Sequence, residues 1–494
     1  MNRPEPRAGD DSPNDATAAL RRGVYLILIA IAAGTSVGRI FAVNAVDNAR
    51  LETYLQSQGR ADWQKQRPFL SGNDRSRWAT ARALVEHGTY AIDDIVSQPN
   101  WDTLDMVKHD GHGRAAPKAD EGHLYSSKPP LFPTLMAGEY WVIHKLTGWT
   151  LGDHPYEIGR FMLVTINVIP LVIGFAAVAS MVDRFGASDW GRVFAVATIT
   201  LGTFLNTFVV VINNHLIGAV SAAIALWGAL RIWYDGRREW RYYALSGLFA
   251  AFAAANELPA LAFFVAITVG LLWKSPWRTL VGFVPPALLV TAAALGTNYL
   301  AHGTPIPAYA QRGEANNWYD YQYMRDGKVR TSYWSEPALR SEVDQGEPSS
   351  AVYALHALVG HHGIFSLTPV WLLSAFGLVA LCVGRRPDHR ALGVLLLSVS
   401  VVVVVFFLSR PQDDRNYGGM SSGFRWVFWL APLWVVGMLP AVDWLARRTW
   451  GRVVAAMLLG LSALSAAYPT WNPWTHPWLL NYLLYLDAVE LGIR

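Results

Sequence analysis

The sequence predicts an all-α polytopic membrane protein, a bundle of about eleven transmembrane helices with juxtamembrane helices in a large first outer loop. Three observations carry this. Hydrophobic residues make up 52% of the 494 residues and charged residues only 16%, where soluble domains carry roughly a quarter. Long apolar runs follow one another, many near the ~20 residues needed to cross a bilayer. Lys and Arg collect in short connectors between the runs, which fixes orientation. The formal net charge of +4 sits mostly in those connectors and implies no nucleic-acid partner. The single Cys382 excludes an internal disulfide.

Residues 1–20, rich in Pro, Asp and Asn, read as a disordered cytoplasmic tail. Arg21-Arg22 leads into the first span, placed at 23–45. A cleavable signal ending near Val43 and Ala45 is the alternative, but the run is long enough to cross and the preceding tail is long. Further spans are placed at 159–182, 191–212, 216–234, 242–256, 258–273, 279–300, 365–384, 391–409, 424–443 and 451–468. The stretch 131–147 is short and carries Pro133, Glu139, His144 and Lys145. Counting it as a span would carry every later basic connector outside, so it is read as an amphipathic helix in the outer interface. The resulting organisation is a membrane module at 21–300 that includes a first outer loop at 46–158. A second outer loop follows at 301–364, then C-terminal helices at 365–468 and an outer interfacial tail at 469–494. Trp471, Trp474 and Trp478 suit that tail to the headgroup region.

Polar chemistry gathers on the outer side. The run Asn73-Asp74-Arg75-Ser76-Arg77-Trp78 opens a short helix that ends at Gly88, with Asn73 or Asp74 as its cap. Its apolar residues Trp78, Ala81, Leu84 and Val85 form a stripe suited to lying along the membrane. Tyr125-Ser126-Ser127-Lys128-Pro129-Pro130 then holds a cation on a backbone stiffened by two prolines. Later, Asn256-Glu257-Leu258 turns between two spans, and Asn416-Tyr417-Gly418-Gly419 precedes Arg425 at the head of another.

An acidic residue four before an aromatic, an Ala-Arg helix closed by Gly, and Lys-Pro-Pro at an interfacial helix together resemble the GT-C glycosyltransferases. The likeness is greatest to the branch holding lipid A aminoarabinose transferase, the protein O-mannosyltransferases and the Rgt-type sugar transferases. It covers the first outer loop well and extends loosely to about residue 300. The resemblance implies a polyprenyl-phosphate-linked sugar as donor, and a lipid, glycan or protein acceptor outside the cytoplasm of a bacterial inner membrane. It also implies inversion at the anomeric carbon. Asp74 maps onto the family's base and Lys128 onto its phosphate-side lysine, with Arg77, Tyr125, Glu257 and Arg425 as further substrate-binding candidates. Two positions depart from the pattern: Arg75 replaces the second acid of the Asp-Glu pair, and Ser127 replaces the acid before Lys-Pro-Pro. These leave the branch, the acceptor and the use of a divalent cation open.

Plainer readings stand beside these. Asp74 alone is a helix cap, Lys128 alone a cation snorkelling at the interface, and Glu257 a turn residue in water. Lys108-His109-Asp110-Gly111-His112-Gly113 with His123 offers metal-type ligands without tight zinc spacing, and reads first as a solvated loop. Asp93 and Asp94 are explained by turn chemistry, while Asn317, Tyr319 and Tyr321 supply surfaces suited to sugars. The competing function is a membrane transporter or lipid flippase. It is disfavoured because the spans are nearly free of central charges and show no repeated halves.

Overall fold

The computed structural model describes residues 13–57, 59, 69–313, 316–469 and 472–490. Residues 1–12 of the expected tail, and Trp471, lie outside them. The chain is a polytopic, mainly helical membrane protein. Among the described residues seven helices are long and apolar enough to cross a bilayer: Ala16–Ala42, Pro155–Phe185, Asn214–Tyr234, Pro276–His302, His389–Leu408, Arg425–Ala446 and Thr449–Ala467. The other four expected spans are shorter helices, Asp189–Leu201, Trp240–Asn256, Leu261–Lys274 and Trp371–Val383. The first helix begins at Pro13 and continues to Ser57. Residues 13–20 are therefore its opening turns and not part of a disordered tail, and it runs beyond the expected start of the outer loop.

Close packing in the bundle depends on missing side chains. A Cβ on Gly247 would lie 2.1 Å from the Phe283 carbonyl oxygen, and one on Gly377 would lie 2.2 Å from that of Gly437. Small residues let two backbones meet where lipid supplies no hydrophobic drive between helices.

The expected span 191–212 behaves differently. Its helix stops at Leu201, and residues 202–213 run as turns and a short 3-10 segment, Thr207–Val210, that is largely buried. Non-helical backbone at membrane depth survives only where protein groups satisfy it. Here Arg39 donates to the carbonyls of Asn206 and Thr207 at 2.6 and 3.2 Å. Asn167 donates to Val209 and Val211 at 2.8 and 2.9 Å. Asn167 sits in a π-helical turn, Val164–Val168, inside the long 155–185 helix, an irregularity that re-aims a side chain.

Between the first two long helices, the helix Gly72–Glu86 packs against the helix Leu131–Thr147, and a two-stranded antiparallel ribbon pairs Met106–His109 with His123–Ser126. The 17-residue helix Leu131–Thr147 is not among those long and apolar enough to cross, and it exposes Leu135, Trp141, Val142 and Leu146.

Candidate active site

Asp74 lies in the first turn of the 72–86 helix without capping it. The cap is Ser71, whose hydroxyl accepts from the Asp74 amide at 3.1 Å. Relieved of that duty, the Asp74 carboxylate accepts from Trp78 Nε1 at 3.0 Å, from the Ile212 amide at 2.9 Å and from the Leu70 amide at 3.3 Å. It thus satisfies the end of the broken 202–213 segment. The helix does not lie along the membrane as its stripe suggested, because residues 74–83 are buried and Trp78 is stacked on Phe69. Both polar and apolar faces are covered by protein. Asp74 is only 1% exposed, and burial lifts its carboxyl to about 7 despite the backbone donors and the nearby Arg77 and Arg75.

One turn along the same helix, Arg77 reaches into the bundle. Its Nη2 donates to Asn214 Oδ1 at 2.8 Å, and Asn214 Nδ2 donates to Glu257 Oε1 at 2.7 Å. Burial lowers the Arg77 guanidinium to about 10. Glu257 also receives His215 Nδ1, and His215 Nε2 lies 2.7 Å from Arg425 Nη1. Arg425 is steadied by donating to the Gly418 carbonyl at 2.7 Å and by stacking over Trp474 at 5.0 Å. Gly418 has φ +94, and a Cβ there would press on the Arg425 side chain, which is why the glycine turn precedes this arginine. Glu257 is 4% exposed and bonded to two side chains, so it is not a turn residue in water.

Lys128 completes the cluster. Its ammonium donates to Asp105 Oδ1 at 2.7 Å, and burial lowers its pKa from the usual lysine value. The Lys128 amide bonds Ser126 Oγ, which lies 2.6 Å from Ser76 Oγ, and Ser76 also donates to the Asp105 carbonyl. The helix bearing Asp74 and Arg77 thereby sets the position of Lys128 and Asp105. The structure brings together Arg77, Lys128, Glu257 and Arg425, and places Asp74 beside them as a sealed carboxyl. Asp105, His215 and Asn214 are the members that the sequence reading missed. For the last two the signal was present: Asn213 caps the 214–234 helix, and two polar residues open it.

Tyr125 is a correction. Alternate residues of a strand face opposite sides, and while Ser126 turns toward Ser76, Tyr125 turns away and stacks on His109 at 3.9 Å. It belongs to a separate aromatic cluster with Trp318, and burial pushes its phenol up to about 12. The histidines of the first loop do not converge either. His109 accepts from the Gly111 amide through Nδ1 and meets His302 through Nε2 at 2.9 Å, while His123 leans toward Asp93 at 3.5 Å. Among the described residues no three His, Cys, Asp or Glu side chains are grouped to hold a metal ion. Arg77, Lys128 and Arg425 form a donor set that fits an anion.

An apolar groove of about 1110 Å³ includes the residues that directly follow Glu257. Leu258 and Pro259 line it, together with Val265, Gly270, Val394 and Phe406. It reaches Pro387 and Arg390 at the start of the Pro387–Leu408 helix. From 387 to 406 a helix rises roughly 29 Å, close to the hydrocarbon thickness of a bilayer.

No protein-family model matches the chain, and no curated protein matches it. Among solved structures it is similar to an oligosaccharyltransferase of Archaeoglobus fulgidus in the apo form, at 13% identity and a TM-score of 0.42. It is also similar to the archaeal oligosaccharyltransferase AglB from Archaeoglobus fulgidus in complex with an inhibitory peptide and a dolichol-phosphate, at 14% identity and a TM-score of 0.43. Each match covers 90% of this chain and 55% of the other, so the chain spans about half the length of the structures it matches. The likeness assigns no role to any residue here.

Proposed function

We propose that the chain is a GT-C-type membrane glycosyltransferase. It moves a sugar from a polyprenyl-phosphate donor to a lipid, glycan or protein acceptor at the extracytoplasmic face of a bacterial inner membrane, with inversion. The reading rests on one observation above all. Arg77, Lys128 and Arg425, from three separate segments, gather with Glu257 near an apolar groove. A lipid-linked sugar phosphate asks for that combination of cations for the departing phosphate and a dry path for the tail. The cations bind and orient the phosphate, and the groove takes the chain. A carboxylate of the first outer loop accepts the acceptor's proton as the hydroxyl attacks the anomeric carbon. The family resemblance puts Asp74 forward for that last role, and a carboxyl near 7 suits a general base at neutral pH.

Purified protein in vesicles carrying a series of polyprenyl-phosphate-linked sugars should discharge one of them and release free polyprenyl phosphate. Lys128→Ala should raise the KM for that donor by about 10- to 100-fold, the worth of a lost charged hydrogen bond. A folded protein that discharges none of the series would sink the proposal. The groove favours one second reading, because it runs the length of a bilayer and ends near Arg390. A lipid flippase would use such a path without breaking the sugar–phosphate bond. Transbilayer movement of an intact labelled donor, with no free polyprenyl phosphate formed, would decide for it.

A further inference from the structure

A base must reach an incoming hydroxyl, and two carboxyls near the cluster, Asp74 and Asp105, differ in this respect. Asp74 is sealed: it is 1% exposed, and both of its oxygens accept hydrogen bonds from the protein, one of them from the Ile212 amide that ends the 202–213 segment. Asp105 is open. Its side chain keeps 18% of its exposure, Oδ1 takes Lys128, and Oδ2 has no hydrogen-bond partner among the described residues.

Asp105 is also the hub of the cluster. After the cost of burial, it is the strongest attractive charge acting on Arg77, on Lys128 and on Arg425. Its backbone carbonyl accepts from both the Ser76 hydroxyl at 2.6 Å and the Ser127 amide at 3.1 Å. The second outer loop makes a wall beside it. Trp334 donates to the carbonyl of neighbouring Leu104 at 2.8 Å, and Arg312 stacks on both Tyr319 and Trp334 at 5.4 and 5.3 Å.

Resting on the glycosyltransferase reading, the geometry points to Asp105 as the group that takes the acceptor's proton, with Asp74 as a positioning residue that locks the broken segment beneath it. Lys128 pairs with Asp105. When a donor phosphate arrives it draws the Lys128 ammonium to itself, and Asp105 is released only in the loaded site. The acceptor oxygen then bonds to the anomeric carbon, and its proton passes to an Asp105 oxygen. The bond from the anomeric carbon to the phosphate oxygen breaks with its electron pair staying on the phosphate, which leaves as polyprenyl phosphate held by Lys128 and Arg425.

The test uses the full chain in vesicles with the polyprenyl-phosphate-linked sugar that the wild type discharges. Asp105→Asn keeps the shape and the Lys128 contact. Its kcat should fall by roughly 100-fold or more, the usual share of a general base, while donor KM stays within a few-fold. In Asp105→Gly, added formate should restore part of the rate. A kcat loss of tenfold or less in folded Asp105→Asn overturns the assignment. A larger loss that comes with raised donor KM and no rescue by formate also overturns it, because Asp105 would then only hold Lys128. If the wild type discharges no such lipid, the glycosyltransferase reading itself has failed, and a rescue experiment is not reached.

Discussion

Arg425 Nη1 lies 2.7 Å from His215 Nε2, so that imidazole nitrogen carries the lone pair, because a guanidinium can only donate. The His215 proton must then sit on Nδ1, facing Glu257. A neutral ring thus stands between the arginine and the carboxylate. Arg425 is held in place without direct neutralisation, and its charge stays available to an anion.

Replacing Arg425 by Lys should therefore be far from conservative. A lysine keeps the charge but has no fork to reach the Gly418 carbonyl and His215 together. The expected result is a donor KM raised by about 10- to 100-fold, measured by discharge of the lipid-linked sugar. An unchanged KM in the folded variant would overturn the phosphate-binding role proposed for Arg425.

Asp74 should make stability depend on pH. Its carboxyl titrates near 3.8 when free and is lifted to about 7 in the fold. Between these values the folded protein holds a proton that the unfolded chain has lost. The contribution is complete below about pH 4, falls as pH rises toward 7, and is flat beyond. Asp74→Asn should abolish that slope. Melting temperatures of the two proteins in detergent, taken from pH 4 to 8, check this. Parallel curves would show that the Asp74 proton is not retained.

Gly247→Leu should prevent the 240–256 helix from closing on the turn at Phe283, since even a Cβ would lie 2.1 Å from the Phe283 carbonyl oxygen. Overpacking costs about 1–3 kcal/mol where neighbours can yield, and more against backbone. The readout is the yield of monodisperse protein after extraction, with wild-type yield contradicting the packing described.

The 131–147 helix is expected to stay outside the membrane core. With Cys382→Ser as background, Asp153→Cys should react with an impermeant thiol reagent in intact cells. Asp153 is exposed, whereas neighbouring Gly148 has φ +72 and would be strained by a side chain. Labelling only after permeabilisation would invert the orientation.

Much of this was legible in the chain itself. Apolar runs and basic connectors are local signals, and they place the membrane helices because a bilayer imposes length and charge rules on any sequence. The motifs at 73–78 and 128–130 and the arginine after Gly418-Gly419 also lie within short windows, so Arg77, Lys128, Glu257 and Arg425 could be picked out before their meeting was known. The failures have a common form. The stripe of the Asp74 helix was read as a membrane-facing surface, because periodicity reports a face to be buried and not what buries it. Tyr125 sits three residues before Lys128, yet strand alternation sends it to the opposite side.

What only the tertiary structure decided is who meets whom. Arg77 reaches Asn214 across 137 positions, Arg425 reaches His215 across 210, and Asp74 holds Ile212 across 138. Lys128 meets Asp105, whose segment looked like ordinary loop. Such pairs leave no periodic trace, since their geometry is set by how separate helices cross. The break at 202–213 is the clearest case. Hydropathy there matches a regular span, and irregular backbone is tolerated only because Arg39, Asn167 and Asp74 arrive from elsewhere to satisfy it.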